Sequence, residues 1–243
     1  MGPLGIGLSA GVPAATAAAG YWGVALSVTA PARPLLRNRV LYSVKTDHPT
    51  VGLTFDDGPD PEFAPRFVEA LGGAPATFFV LGQAVSRSPD VVRAVATAGH
   101  EIACHGDTHR GLASIPPRAT RRALIRARDT IAEVVGVAPR FYRPAYGVFN
   151  AAGWFAAPAL GMRRTLWSTW ARDWEASATP ELIAERTLRG AKPGAILLLH
   201  DADGSPGAPS RTLAAIPRIL DGLRERGLTC ATLSQLVSLG NSP

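Results

Sequence analysis

The chain has 243 residues, 47% of them hydrophobic and 18% charged, with a formal net charge of +6 from 25 Lys and Arg against 19 Asp and Glu. That is enough apolar length for one large core, while two cysteines, Cys104 and Cys230, exclude a disulfide scaffold and a four-cysteine zinc site. The positive charge is almost wholly Arg, and its densest run, Arg118, Arg121, Arg122, Arg126 and Arg128, is interleaved with Leu124, Ile125 and Ile131. This describes a solvated helix face without the aromatic alternation that stacks bases, so nucleic acid is not an expected partner.

Residues 1–32 carry no charge and are rich in Gly, Ala and Pro, with Tyr21, Trp22, Val24 and Leu26 toward their end. Together with a linker they form an expected targeting or anchoring segment, residues 1–44, ahead of one domain over residues 45–243. No Lys or Arg precedes the apolar part, although Thr29-Ala30-Pro31-Ala32 offers a small-residue cleavage pattern. Pro13 and several glycines interrupt it as a spanning helix, and Arg33, Arg37 and Arg39 follow it. Membrane contact through residues 1–32 and a secreted or envelope-anchored location are expected, with a cytoplasmic one left open.

From residue 45 onward, short apolar runs alternate with longer amphipathic ones. The predicted strands are 51–55, 76–80, 101–104, 141–142, 164–167, 195–199 and 228–231. The predicted helices are 62–71, 89–98, 117–135, 150–160, 180–189, 210–226 and 233–239. Ser88-Pro89, Thr179-Pro180 and Ser210 supply start signals. Seven such pairs argue for an α/β chain of parallel strands with helical crossovers.

The reactive side chains fall just after strand ends. Asp56 and Asp57 follow the first strand, His105 and His109 the third and Arg143 the fourth; Asp173 comes after the fifth, and His200 with Asp201 closes the sixth. In a barrel of parallel strands these ends open on one face, so distant residues become neighbours. Adjacent carboxylates resist joint ionisation unless a cation offsets them, and Asp56-Asp57 therefore calls for a metal or an Arg. His105 and His109, four residues apart, can turn both rings one way. With Asp57 they make two imidazoles and one carboxylate, the composition of a catalytic zinc site that also suits other divalent transition metals.

Five segments share an order and spacing: Thr54-Phe55-Asp56-Asp57-Gly58-Pro59, His105-x-x-x-His109, Arg143-Pro144-Ala145-Tyr146-Gly147, Trp167-Ser168 through Arg172-Asp173-Trp174, and Ile196 through His200-Asp201. In these the chain resembles the polysaccharide deacetylase family, the NodB-homology or carbohydrate esterase family 4 domain, over about residues 45–240. The resemblance implies a distorted (β/α) barrel of about seven parallel strands, short of the eight of a TIM barrel. It implies that Asp57, His105 and His109 hold a divalent metal, zinc first, with cobalt or another transition metal as alternatives. Asp56 would be the general base, oriented by Arg143. The backbone N–H of Tyr146 would stabilise the oxyanion, and His200, held by Asp173, would be the general acid. Leu198 and Trp174 would line a pocket for the acetyl methyl.

The implied activity is metal-dependent removal of N-acetyl groups from an aminosugar polymer or oligomer, such as chitin fragments or peptidoglycan. O-acetyl esterase action on acetylated xylan is the rival, and a non-catalytic carbohydrate-binding relative a more distant one. Three positions depart from the pattern: Gly106 stands where Ser or Thr is frequent, Ala145 where a second Pro is usual, and Trp170 where an acid is common. These changes bear on metal affinity and groove shape. His48 and His100 precede strands, on the opposite face, and receive no chemical role.

Overall fold

A computed structural model describes residue 36 and residues 38–111, 115–202 and 207–240. The apolar segment of residues 1–32, with its cleavage-like motif, lies outside the described residues. Among the described residues no helix is long and apolar enough to cross a membrane.

Eight strands among the described residues form one sheet: β1 (Thr50–Asp56), β2 (Thr77–Leu81), β3 (Glu101–Gly106), β4 (Phe141–Tyr142), β5 (Arg163–Arg164), β6 (Thr169–Trp170), β7 (Ile196–His200) and β8 (Thr229–Ala231). Every strand pairing is parallel, in the order β5-β4-β3-β2-β1-β7-β6. β1 is the centre. β7 runs along one edge of it; on the other, β8 pairs with Thr50–Gly52 and β2 with Thr54–Asp56. All seven β1 residues are buried, as expected for a parallel strand covered on both faces. β5 and β6 end the sheet without pairing to each other, so the barrel is incomplete. Of the expected strand 164–167 only Arg164 falls in a strand, β5, and β6 begins beyond it at Thr169.

Eight helices are described in chain order: α1 (Phe63–Leu71), α2 (Gly82–Arg87), α3 (Pro89–Thr97), α4 (Pro117–Val135), α5 (Ala151–Ala159), α6 (Pro180–Arg189), α7 (Ala208–Glu225) and α8 (Leu233–Ser238). Each of the longer ones buries a stripe at helical spacing; on α4 it is Thr120, Leu124, Ala127 and Ile131, which turns Arg118, Arg121 and Arg122 outward to solvent. α2 has no counterpart among the expected elements. Of the start signals, Thr179 caps α6 by accepting from the Leu182 N–H. Ser88 precedes α3 without a side-chain cap, and Ser210 sits inside α7, which begins after Gly207.

The larger apolar cluster lies between sheet and outer helices. A smaller one, with Phe79, Ala103, Ile196, Leu233 and Leu236, fills the barrel interior. α8 plugs the amino-terminal mouth. A Cβ on Gly52 would stand 3.0 Å from Leu233 Cδ2, so glycine there lets the plug seat against β1. With one end sealed, the carboxyl ends of the strands frame the remaining opening. Cys104 and Cys230 are both free thiols.

Candidate active site

A cavity of about 300 Å³ opens at the carboxyl ends of the strands. Asp56, Asp57, His105, His109 and His200 line it, with Tyr146, Trp174 and Leu198. Arg143 and Asp173 stand behind this layer, both fully buried, bonded to Asp56 and His200. All the residues singled out by the sequence are thus brought to one place.

The backbone separates the two adjacent acids. Asp56 is still in β1, level with His200 of β7 and Phe79 of β2. Asp57 turns into the left-handed region at φ 82, which Asp tolerates better than most residues. Its carboxylate meets two imidazoles: Oδ1 is 3.2 Å from His105 Nε2 and 3.1 Å from His109 Nε2. The two rings lie nearly parallel, 5.6 Å apart.

Among the described residues this is the one group of three whose donor atoms fall within metal-binding reach, all within 4.8 Å of one another. Asp57 Oδ1 is buried without a hydrogen-bond partner, an arrangement that is costly unless a cation completes it. The 3.1–3.2 Å separations approach the ~3.4 Å edge of a tetrahedron with arms of ~2.1 Å, so the residues present fit a divalent ion bound by nitrogen and oxygen. Burial pushes Asp57 up, but the charge of the imidazoles around it, His105 first, prevails and lowers it to about 2. Burial lowers His109, favouring the neutral ring that ligates.

The histidine loop is tied down from behind. Asp107, buried between the two histidines, accepts from Arg126 Nη2 at 2.7 Å and Nε at 3.2 Å. Gly82 lets this happen, because a Cβ there would lie 2.8 Å from Ala127 Cα and 2.9 Å from Asp107 Oδ1. α2 and α4 therefore pinch the loop between them.

Asp56 is held by Arg143, whose Nη1 donates to Asp56 Oδ1 at 2.5 Å and to Thr54 Oγ1 at 3.0 Å, while Nη2 donates to the Leu166 carbonyl at 2.9 Å. Its guanidinium also lies 4.0 Å over the Phe79 ring. Burial pushes the guanidinium down and the charge of Asp56 opposes this. The planar fork thus fixes one carboxylate oxygen and leaves Oδ2 toward the cavity side, 3.8 Å from His105 Nδ1.

On the other side, Asp173 accepts from the His200 ring at 2.8 Å, the His200 backbone N–H at 2.8 Å and Thr212 Oγ1 at 2.7 Å. The ring bond uses Nδ1, which leaves Nε2 to face the cavity. Burial alone would lower His200, but the charge and hydrogen bond of Asp173 raise it to about 9. The site therefore sets a carboxylate aimed by a buried arginine opposite an imidazole kept ready to donate a proton.

Tyr146 sits in a short turn at φ 59, its ring 4.7 Å from His109. Gly147 follows with φ 67, where a Cβ would come within 2.5 Å of Trp167. Trp167, Trp170 and Gly147 also line the cavity and were not among the sequence-derived site residues. Three tryptophans within eight positions, Trp167, Trp170 and Trp174, are the signal that could have found this wall. Asp201, beyond His200, is buried with both carboxylate oxygens unpartnered; burial, then Asp57 and Asp56, push it well above the usual carboxylate range. His100 packs edge-on against Phe78 at 5.4 Å, a core position away from the cavity.

Residues 43–165 match the model of the family described as polysaccharide deacetylase. A chitooligosaccharide deacetylase of Sinorhizobium fredii is 32% identical over 200 residues, covering 78% of this chain and 93% of the relative. Among solved structures, the Bc1960 peptidoglycan N-acetylglucosamine deacetylase, in complex with 4-naphthalen-1-yl-N-oxidanyl-benzamide, superposes with a TM-score of 0.77 at 28% identity, over 84% of this chain and 95% of that one. A family 4 acetyl xylan esterase from Clostridium thermocellum, in complex with a cobalt ion, gives 0.71 at 31% identity, over 78% of this chain and 91% of its own. Parallel strands curled around a plugged core, acids divided between a histidine pair and a buried arginine, and matches across most of each relative's length lead to one assignment: this chain belongs to the polysaccharide deacetylase family.

Proposed function

We propose that the protein removes N-acetyl groups from an aminosugar polymer or oligomer, such as chitin fragments or peptidoglycan. The observation that carries this reading is the His200–Asp173 pair. Amide nitrogen leaves poorly unless it receives a proton, and an imidazole raised to about 9 holds that proton at neutral pH. The names of the similar chitooligosaccharide and peptidoglycan deacetylases support the same substrate class.

Asp57, His105 and His109 would hold a divalent metal, zinc first and cobalt or another transition metal as alternatives. When bound there, such a cation polarises the acetyl carbonyl and makes a nearby water more acidic. Asp56 takes the proton of the attacking water, and Arg143 keeps its carboxylate aimed. The Tyr146 backbone N–H donates to the oxygen on which negative charge develops. Leu198 and Trp174 enclose the acetyl methyl. His200 Nε2 protonates the departing nitrogen while Asp173 stabilises the imidazolium.

O-acetyl esterase action is the second reading, favoured by the similarity to an acetyl xylan esterase. Acetate release from N-acetylchitooligosaccharides, peptidoglycan fragments and acetylxylan, with added zinc or cobalt, separates the two. Turnover of the aminosugar substrates is expected. Cleavage of acetylxylan alone would transfer the assignment to the esterase, and no acetate from any substrate would overturn both.

A further inference from the structure

We propose that Trp170 is a stacking ledge for the sugar next to the one being deacetylated, so that the protein grips a chain and not a single unit. This rests on the glycan reading above. Trp170 and Tyr146 are two of the four large apolar side chains exposed among the described residues, and both border the same cavity. Trp170 keeps 44% of its surface open. Exposed aromatic surface concentrated at a cavity mouth marks a contact site more than scattered exposure does.

The fold aims this side chain deliberately. β6 pairs Trp170 with Leu198 and Thr169 with Leu197. Alternate strand residues face opposite ways, and Thr169 is locked outward by donating Oγ1 to the Gly190 carbonyl at 3.1 Å. Gly190 has no room for a Cβ, which would lie 2.2 Å from Thr169 Oγ1. Trp170 is left on the cavity side, where Trp167 stacks against it at 5.8 Å and Trp174 packs at 5.3 Å. Arg172 places its guanidinium over the ring, 5.5 Å from the centroid, and is itself paired with Glu175 at 3.3 Å. The indole is thus fixed before any ligand arrives, which lowers the ordering cost of binding.

The chemistry of the partner follows from shape. A cavity of about 300 Å³ is at the small end for ligand sites and takes one acetylated sugar. A longer chain must leave across the rim. A β-linked pyranose carries its polar groups around the ring edge and presents C–H bonds on its faces, and those C–H bonds meet the electron-rich face of an indole favourably.

Calorimetry on the zinc-loaded full chain, carrying Asp56→Asn in every sample to suppress turnover, tests this with two probes, N-acetylglucosamine and fully acetylated chitotetraose. Trp170→Ala should weaken the tetramer about tenfold, which is about 1.4 kcal/mol, and the monomer less than about twofold. Trp170→Phe, which keeps a flat ring, should recover most of the tetramer affinity, and unchanged thermal midpoints should accompany both variants. Equal tetramer binding with and without Trp170→Ala would overturn the ledge while leaving the proposed function in place. Equal loss of monomer and tetramer would also overturn it, placing Trp170 in the acetyl pocket. Failure of the zinc-loaded wild type to release acetate from the tetramer in a separate assay would overturn the chitin reading and the ledge with it.

Discussion

Arg143 donates to Asp56 at 2.5 Å from a position with no solvent exposure, so the orientation of the acid and the packing of the barrel depend on one side chain. Arg143→Lys keeps the charge but cannot reach Asp56, Thr54 and the Leu166 carbonyl together. Its acetate release is expected to fall by about 100-fold, the scale of a displaced proton-transfer group. Arg143→Met should cost about 3–5 kcal/mol in urea denaturation, because it strands a buried carboxylate.

The adjacent acids should fail differently. Asp56→Asn preserves shape but cannot take a proton, so activity should drop by about 10²–10⁴-fold with bound metal unchanged. Asp57→Ala should lose metal and activity together. Metal content after gel filtration, measured beside turnover, distinguishes the two. A metal-replete Asp57→Ala protein would remove that residue as a ligand.

His200 gives the pH dependence its sign. Its folded pKa, about 9, lies above the ordinary 6.5, so the protonated ring favours the folded state. The stabilisation is complete below about pH 6.5 and is lost as pH rises through about 9. Amide cleavage should decline through the same upper limit. In Asp173→Asn burial acts without its main opponent, and the alkaline limb should move to lower pH. Ester substrates, which need less leaving-group protonation, should suffer less from His200→Gln than amides do. A rate profile whose alkaline limb stays fixed in Asp173→Asn would dissociate the pair from the chemistry.

Arg126 touches no expected ligand, yet it holds Asp107 between His105 and His109. Arg126→Ala should weaken zinc affinity by about tenfold, as the loss of a supporting shell does elsewhere. Competition against a chelating dye measures this directly. Because the Arg126 side chain is largely exposed, stability should change by no more than about 1 kcal/mol.

How much of this was legible in the sequence depended on the length of the signal. β1 and β7 are largely apolar runs, and Asp56-Asp57 and His200-Asp201 stand where those runs stop. β6 has two residues, Thr169 and Trp170, and is specified by its pairing with β7, a tertiary contact that no local pattern carries. α2 is similar: six residues with Gly, Gln and Ser make a weak helical signal, and its place is set by Gly82 fitting against Ala127. The support of Asp173 by Thr212 and of Arg143 by Thr54 was hidden for the same reason. Hydroxyls are frequent, and only the fold shows which one lies beside a charge.

The aromatic wall also has an optical consequence. Trp174 meets His200 edge-on with ring centroids 5.4 Å apart. A protonated imidazole that close quenches indole emission, and a neutral one does so far less. The protein therefore contains its own indicator for the proton on His200. The fluorescence lost in Trp174→Phe, followed against pH, reads that titration without substrate, metal or label, and independently of any rate.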